Sequence, residues 1–218
     1  MGRILDHVLY RTTVSGSGNV PTVGPVIFAA NHLSYLDGPV MVGAAPRYMH
    51  VLVKQEMFGG FLGRVLRASG QIPVDRSGDR RALQRAKALL DGGGCVGILP
   101  EGTRGPGTAA SVNNGVAWLA LNSAAVVVPV AVLGTRIAGE HKDRIPPLRR
   151  RFHVVFGPSV RISREPGTSG RVSMDRAAED IRVRLAAHVQ AAVAATGQQL
   201  PQDEARDLQG TPDQHEGK

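Results

Sequence analysis

The chain has 218 residues, 42% hydrophobic and 20% charged, which is typical of one sizeable globular domain with its own core. Its single cysteine excludes an intrachain disulfide and a cysteine-based metal site, and it favours a reducing compartment. The net charge of +8 indicates an anionic partner: a phosphate-bearing substrate, a membrane surface or a nucleic acid. Aromatic residues make up only 4% of the chain, which leaves few platforms for stacking bases.

The first eleven residues place four apolar side chains on one helical stripe: Ile4, Leu5, Val8 and Leu9. We expect a short helix packed on the domain, with an amphipathic helix on lipid headgroups as the alternative. No signal peptide is recognisable, and the longest apolar run, residues 124–133, is too short to span a bilayer. Residues 13–25 are rich in Gly, Ser, Thr and Pro and predict a hairpin or loop.

An apolar strand is predicted at Val26–Ala30, and the stretch Asn31–Asp37 after it places His32 and Asp37 five residues apart. On a helix this spacing would point the two side chains about 140° apart, so they can act together only on a bend. Ligands bind at the carboxyl ends of strands in open α/β sheets, which makes this bend a candidate catalytic site. The alternative is a packed, structural His32 and an Asp37 that only caps a helix.

The next elements are predicted from apolar spacing and from turn residues. One or two helical turns are expected at residues 39–44, and a strand at residues 48–53 ends at Lys54. A second helix is predicted, and core packing is favoured over a lipid-facing role for its apolar residues, which are Phe58, Phe61, Leu62, Val65 and Leu66. A short strand is expected to end at Arg76, and Asp79 is predicted to cap a helix over residues 80–90.

A buried strand at residues 95–99 leads into a second candidate site, Pro100–Arg104. Gly102 lets the backbone approach a ligand closely, Thr103 offers a hydroxyl and Arg104 offers a fork of donors suited to phosphate. Glu101 would repel a phosphate unless it pairs with a cation or accepts backbone hydrogen bonds. A plain turn is the alternative interpretation of this segment.

The remaining elements complete an alternating pattern of strands and helices. A helix is predicted at about residues 112–121, strands at 126–133 and 152–156, and a long helix from Ser173 to about residue 195. Pro129 lacks a backbone donor, so its strand should lie at an edge or be locally irregular. The pattern predicts an α/β fold, a layered single domain with a largely parallel or mixed central sheet flanked by helices. Residues 197–218 are polar, and we expect a disordered tail.

In this order the segments resemble the glycerolipid acyltransferase family, the 1-acylglycerol-3-phosphate O-acyltransferases. Four blocks carry the resemblance: an NHxxxxD motif at Asn31–Asp37, a segment ending in Arg at Gly70–Arg76, an EGTR motif at Glu101–Arg104, and a Pro-containing strand at Val127–Val132. Lys54 and Glu56 are similar to the family's KxE pattern. The resemblance covers about residues 20–160 of a predicted acyltransferase domain at residues 1–196.

The resemblance implies transfer of a fatty acyl group from acyl-CoA or acyl-carrier protein to the free hydroxyl of 1-acylglycerol-3-phosphate, giving phosphatidic acid. His32 would be the general base and Asp37 its orienting partner. Substrate binding would fall to Lys54, Arg76, Glu101, Gly102, Thr103 and Arg104. Neither a metal nor a cofactor is expected besides the acyl donor. The protein would bind the anionic cytoplasmic face of the cell membrane peripherally, without a transmembrane segment.

These roles suit the residue types. A hydroxyl is a poor nucleophile, and imidazole, which exchanges protons near neutral pH, can take its proton as it attacks a thioester. The loop at residues 105–115 departs from the family pattern and keeps another lysophospholipid or a glycolipid acceptor as an alternative. Two distant alternatives are a basic nucleic-acid-binding module, suggested by Arg149–Arg151 and the net charge, and a catalytically inactive lipid-binding relative. No nucleic acid is expected among the partners.

Overall fold

The structure, a computed structural model, describes residues 5–75 and 79–201. Its strands are β1 (Arg11–Ser15), β2 (Val26–Ala30), β3 (His50–Lys54), β4 (Ile72–Val74), β5 (Cys95–Ile98), β6 (Val126–Leu133), β7 (Arg151–Phe156) and β8 (Val160–Arg161). Its α-helices are α1 (Asp37–Ala44), α2 (Gly60–Ala68), α3 (Arg80–Asp91), α4 (Asn114–Asn122) and α5 (Gly170–Thr196). Shorter helical turns are formed by Leu5–Leu9, Ser17–Asn19 and Gln55–Phe58.

The strands form one sheet in the order β1-β7-β6-β2-β5-β3-β4, with β8 paired to β6. The pairs β2–β5, β2–β6, β3–β5, β3–β4 and β1–β7 are parallel, whereas β7 and β8 run antiparallel to β6. This mixed, mostly parallel sheet between helices confirms the predicted fold class.

Two layers of helices cover the sheet. On one face Ile27 and Ala29 of β2 pack with buried residues of α3, α4 and α5. On the other face Val26, Phe28 and Ala30 pack with α1 and with residues of β7. Strand β2 is fully buried on both sides, which explains its continuous apolar sequence and fixes the position of the bend that follows it.

Strand β1 corrects the sequence prediction, because residues 13–15 were expected in a hairpin or loop. Residues 11–15 instead add an outer parallel strand to β7. Their side chains alternate between exposed and half-buried. A polar edge strand of this kind has no apolar run by which the sequence would identify it.

The strand containing Pro129 is not at an edge, so that half of the prediction is wrong. β6 lies between β2 and β7. Its partner on one side changes along its length, from β8 at Val126 and Val127 to β7 from Val130 onward. Pro129 lies at this change of partner, where a backbone donor is dispensable, and its carbonyl accepts from Gly157 N at 2.8 Å.

Helix α2 and the N-terminal turn were both expected to pack their apolar residues in the core, and in each of them part of the apolar stripe is exposed instead. In α2, Phe61 is 72% and Leu62 47% exposed, while Phe58 before the helix is buried. In the turn, Val8 is 68% and Leu9 40% exposed. Ile4 lies outside the described residues. Helical spacing identifies an apolar stripe but does not identify what covers it.

The long helix α5 starts earlier than predicted. Its N-cap is Ser169, whose hydroxyl accepts from Val172 N, whereas Ser173 is buried and hydrogen-bonds to Thr168. The packed chain also extends past the predicted boundary at residue 197, because Leu200 packs on the end of the helix and Pro201 is buried. The rest of the predicted tail, residues 202–218, lies outside the described residues. In the part of the chain that is described, no helix combines the length and apolarity needed to cross a membrane.

Candidate active site

The candidate site lies at one edge of the sheet. Strands β2, β3, β4, β5 and β6 run in the same direction, so their carboxyl ends meet at this edge. The NHxxxxD segment follows β2, Pro100–Arg104 follows β5, and residues 134–150 follow β6. We call this the catalytic edge. It is the place where ligands bind in open α/β sheets.

The first residue of the bend, Asn31, is fully buried and extends the pairing of β2 with β6 through its side chain. Its amide donates to Val132 O at 3.1 Å and its Oδ1 accepts from Val132 N at 2.8 Å. The side chain therefore replaces a backbone pair at the point where the chain leaves the sheet. This turns the next residue, His32, out of the strand direction.

His32 and Asp37 meet across the bend. The His32 Nδ1 lies 2.9 Å from Asp37 Oδ2. The Asp37 side chain is fully buried, and that of His32 is 17% exposed. An ionised carboxylate at this place requires Nδ1 to carry the proton, which leaves the Nε2 lone pair free to accept one. The pair has the arrangement of a general base and its orienting carboxylate.

Asp37 is held on all sides by donors. Its Oδ2 accepts from Leu33 N at 2.6 Å and Ser34 N at 2.7 Å, and its Oδ1 accepts from Thr135 Oγ1 at 2.5 Å. Buried carboxylates need such partners. Asp37 lies in the first turn of α1, and the N-cap is Leu36. Its side chain therefore fastens the bend rather than capping the helix.

Thr135 is a site residue that the sequence analysis missed. It is buried two residues after β6 and 98 positions from Asp37. The sequence did contain a signal for it, because Thr135 lies just beyond the carboxyl end of an apolar strand. Ligands bind at such strand ends in open α/β sheets, and this rule had already identified the segments after β2 and β5. The hydroxyl fixes the carboxylate from the side opposite the backbone donors.

Glu101 connects the EGTR turn to the NHxxxxD bend through a hydrogen bond. Its Oε1 accepts from His32 N at 2.9 Å, and the backbone of Ala109 also donates to its carboxylate. Burial raises the pKa of the Glu101 carboxyl, although these hydrogen bonds and the nearby imidazole lower it in part. From the sequence, a carboxylate here was expected either to pair with a cation or to accept backbone hydrogen bonds, and Glu101 does the second. Among residues 5–75 and 79–201, Glu101 contacts the bend rather than an arginine.

Gly102 and Thr103 form the tip of the turn. Gly102 adopts a φ of 70°, and a Cβ there would lie 2.4 Å from Asn113 Nδ2, so the position requires glycine. Asn113 of this chain thus lies close to Gly102, and the close approach of a ligand stays a prediction. Thr103 is exposed, and Gly105 N donates to His32 O at 3.0 Å. The turn therefore lies directly against the bend.

Arg104 reaches across the catalytic edge and stacks on the motif itself. Its guanidinium carbon lies 3.5 Å from the centre of the Tyr35 ring, and Nη2 donates to Tyr35 Oη at 2.8 Å. Its Nη1 donates to Asp143 Oδ1 at 2.5 Å and to Lys142 O at 2.8 Å. The hydrogen bond from Arg104 lowers the pKa of the Asp143 carboxyl. The cation thus has an acidic partner of this chain, 39 positions away, that no sequence pattern revealed.

The remaining predicted residues lie farther along the edge. Lys54 ends β3, two strands from β2, and is half-buried. Arg76 lies outside the described residues, so its predicted meeting with Arg104 stays a prediction. Within residues 5–75 and 79–201, the His, Cys, Asp and Glu side chains form no group of three that could hold a metal ion.

The sequence matches the acyltransferase family over residues 11–133, which is more than half of the chain and contains both motifs. The chain belongs to the acyltransferase family. This confirms the resemblance seen in the NHxxxxD and EGTR blocks. The matched segment contains the bend and the turn, and Thr135 lies two residues beyond its end.

Three relatives of this acyltransferase are named 1-acyl-sn-glycerol-3-phosphate acyltransferases. The protein of Chlamydomonas reinhardtii is 29% identical over 131 residues, which are 58% of this chain and 40% of the relative. Those of Limnanthes alba and Borreliella burgdorferi are 27% and 30% identical over 63% and 56% of this chain, and over 54% and 51% of their own lengths. The acyltransferase thus spans about half the length of the curated relatives that it matches.

A solved structure shows the same fold. The 1-acyl-sn-glycerophosphate (LPA) acyltransferase PlsC from Thermotoga maritima superposes with a TM-score of 0.60 at 23% identity. The match covers 84% of this chain and 73% of the other.

Proposed function

We propose that this acyltransferase transfers a fatty acyl group from a thioester, acyl-CoA or acyl-carrier protein, to the free hydroxyl of 1-acylglycerol-3-phosphate. The observation that carries the proposal is the 2.9 Å contact of His32 Nδ1 with a buried, fully hydrogen-bonded Asp37 at the catalytic edge. The names of the three relatives point to the same acceptor.

In the proposed reaction His32 Nε2 takes the proton of the acceptor hydroxyl as its oxygen attacks the thioester carbonyl. The tetrahedral intermediate then collapses, the C–S bond breaks, and the imidazolium returns the proton to the departing sulfur. The products are an ester and a free thiol. Asp37 keeps the imidazole in the required tautomer and stabilises its positive charge. A general base in this position contributes about 10²- to 10⁴-fold in rate.

Arg104 is the proposed phosphate-binding residue. It lies beside Tyr35 of the NHxxxxD segment, and its fork of donors fits a phosphate monoester. In the structure that fork is held by Asp143. The acceptor's phosphate would replace the Asp143 carboxylate, exchanging one anion for another. The proposed roles of Lys54, Arg76, Glu101, Gly102 and Thr103 remain as the resemblance implies.

We also propose peripheral attachment to the cytoplasmic face of an anionic membrane. The supporting observation is the exposed apolar side of α2, with Phe61 72% and Leu62 47% exposed beside the cations Arg64 and Arg67. The Arg64 guanidinium lies 5.8 Å from the Phe61 ring centre. Apolar and basic residues on one short helix are typical of an element that rests in the headgroup region.

An acceptor panel tests the proposed reaction. Purified full-length protein is given a long-chain acyl-CoA, or the same acyl group on carrier protein, with lysophosphatidic acid, lysophosphatidylcholine or a glycolipid. Phosphatidic acid should form fastest. Transfer only to an acceptor without a phosphate monoester would contradict the role of Arg104, and thiol release without any acceptor would indicate a thioesterase.

A further inference from the structure

A second exposed apolar surface lies at the catalytic edge, on the other side of His32 from α2. It is formed by the loop after β6 and the N-terminal turn. Ile137 of this loop is 39% exposed, and four further large side chains, Val8, Leu9, Ile145 and Leu148, are 68%, 40%, 78% and 69% exposed. We call these four residues the loop patch.

Three hydrogen bonds join the two segments of the loop patch into one surface. Arg149 N donates to Leu9 O at 2.7 Å and Arg11 N to Arg150 O at 2.9 Å. The Tyr10 hydroxyl donates to Pro146 O at 3.2 Å, and Pro146 is buried. The chain therefore holds Leu148 and Leu9 together on the surface although 139 positions separate them in sequence.

The loop after β6 contains a strained backbone residue and an ion pair that secures its shape. Arg149 adopts a φ of 63°, a left-handed conformation that costs a non-glycine residue of the order of 1 kcal/mol. The neighbouring Arg150 forms two hydrogen bonds of 2.6 Å with the Glu140 carboxylate. A loop secured in this way presents Ile145 and Leu148 to solvent as part of its folded shape.

Charge around the loop patch favours an anionic surface. Residues 137–150 contain four cations, Lys142, Arg144, Arg149 and Arg150, and two acids, Glu140 and Asp143. Both acids have arginine partners, since Glu140 binds Arg150 and Asp143 binds Arg104. Lys142, Arg144 and Arg149 are exposed. Exposed aliphatic side chains with exposed cations next to them in sequence suit a bilayer, where the apolar groups can enter the acyl region and the cations can contact anionic headgroups.

The topology places the two apolar surfaces on opposite sides of the site. The loop and the turn adjoin β6, β7 and β1, whereas α2 follows β3, and β2 lies between these groups in the sheet. With strands about 4.8 Å apart, each surface begins within roughly 10 Å of β2, the strand that precedes His32.

We propose that the loop patch is a lipid-contacting surface that, together with α2, turns the catalytic edge toward an anionic bilayer. One interfacial element alone gives weak, reversible attachment and leaves the protein free to rotate about it. Two contacts that flank His32 fix the orientation, so that a lipid acceptor enters directly at the base. This inference rests on the proposed peripheral attachment.

The first test measures binding of the full-length chain to vesicles of equal parts phosphatidylglycerol and phosphatidylcholine. The double variant Ile145→Ser/Leu148→Ser should lower the partition coefficient about tenfold or more. The matched control is Val23→Ser, because Val23 is 79% exposed but precedes β2, at the opposite edge of the sheet. It should bind like wild type, and raised salt should weaken binding throughout.

A second measurement reports contact directly. The native Cys95 is buried, so a thiol-reactive, polarity-sensitive dye can be attached selectively to Leu148→Cys or to Val23→Cys. Vesicles should shift the emission of the dye at position 148 to the blue and leave the dye at position 23 unchanged. Equal responses at the two positions would overturn the inference.

The remaining outcomes separate this inference from the proposed reaction. If wild type binds vesicles and the double variant binds them equally well, the role of the loop patch is overturned and that of α2 is not. If wild type does not bind vesicles, both attachment proposals are overturned. A wild-type dimer that the double variant converts to a monomer would show that a second copy covers the patch, which also overturns it. Acyl transfer to a short-chain, monomeric acceptor should be equal in all these variants, and its absence would count against the proposed reaction.

Discussion

The bend after β2 and the loop after β6 lie at the same edge of the sheet but are built in opposite ways. The bend buries polar groups and satisfies them: Asp37 is fully buried and has four partners within 3 Å. The loop exposes apolar groups, with Ile145 78% and Leu148 69% accessible. A buried polar network fixes a geometry, whereas an exposed apolar surface needs something to cover it. The first arrangement suits chemistry and the second suits attachment.

Among substitutions that test this contrast, Asp37→Asn in the buried bend should have the largest effect on activity and stability. The neutral amide cannot stabilise an imidazolium as a carboxylate does, so we expect kcat to fall at least about a hundredfold. Its NH2 group must also replace one of the two carboxylate oxygens, and it cannot accept from the Thr135 hydroxyl or from the backbone donors. The free energy of unfolding should also fall, by about 1–3 kcal/mol. Steady-state kinetics and urea unfolding measure the two effects.

The exposed Asp175 on α5 offers a matched control. Asp175→Asn should leave kcat and stability unchanged. A similar loss of kcat and stability in both variants, or full activity in Asp37→Asn, would contradict the distinction between the buried bend and the exposed surface.

Thr135→Val removes one donor while keeping the shape of the side chain. Asp37 retains its imidazole and two backbone partners, so we expect a smaller fall in kcat, about tenfold, and a stability loss of about 1–2 kcal/mol. Thr135→Ser keeps the hydroxyl and should retain most of the activity. If the Val and Ser variants behaved alike, the hydroxyl would have no part in holding the carboxylate.

Asp143→Asn tests the connection between the loop and the site. The Asp143 carboxylate competes with the acceptor phosphate for Arg104, so its loss should lower KM for lysophosphatidic acid about two- to fivefold with little change in kcat. Exchanging the acid of another ion pair, in Asp180→Asn, should leave KM unaltered. A raised KM in Asp143→Asn would mean that Asp143 positions Arg104 for the acceptor.

The smallest expected effect is on the pH dependence of stability, through Glu101. Burial raises the pKa of this carboxyl in the folded protein above its usual 4.5. The folded state therefore holds the proton more strongly than the unfolded state. The stability that this supplies is complete below pH 4.5 and is lost as pH rises through the raised value.

Glu101→Gln cannot titrate, so its free energy of unfolding should increase relative to wild type as pH rises through that interval. Urea unfolding of both proteins between pH 4 and about pH 7 measures the difference. A difference that decreases with pH would show that the Glu101 carboxyl has a lowered pKa in the fold.

The sequence predicted those parts of the molecule whose patterns are local. The apolar run of β2, the cap at Asp79 and the spacing of His32 and Asp37 required only neighbouring residues, and the fold class followed from the alternation of strands and helices. The position of Thr135 after a strand could have marked it as a candidate, but its partner Asp37 is 98 positions away and no local pattern indicates that contact. The contact of Asp143 with Arg104, 39 positions away, had no local signal either. The apolar stripe of α2 was recognised, but periodicity does not distinguish a buried stripe from an exposed one.

The decisive test of His32 as the general base is release of free thiol from a long-chain acyl-CoA, measured with and without lysophosphatidic acid in wild type and in His32→Ala. If His32 is the base, release should require the acceptor and should fall about 10²- to 10⁴-fold in the variant. Acceptor-dependent release at an undiminished rate in a folded His32→Ala protein would contradict the assignment of His32 as the base.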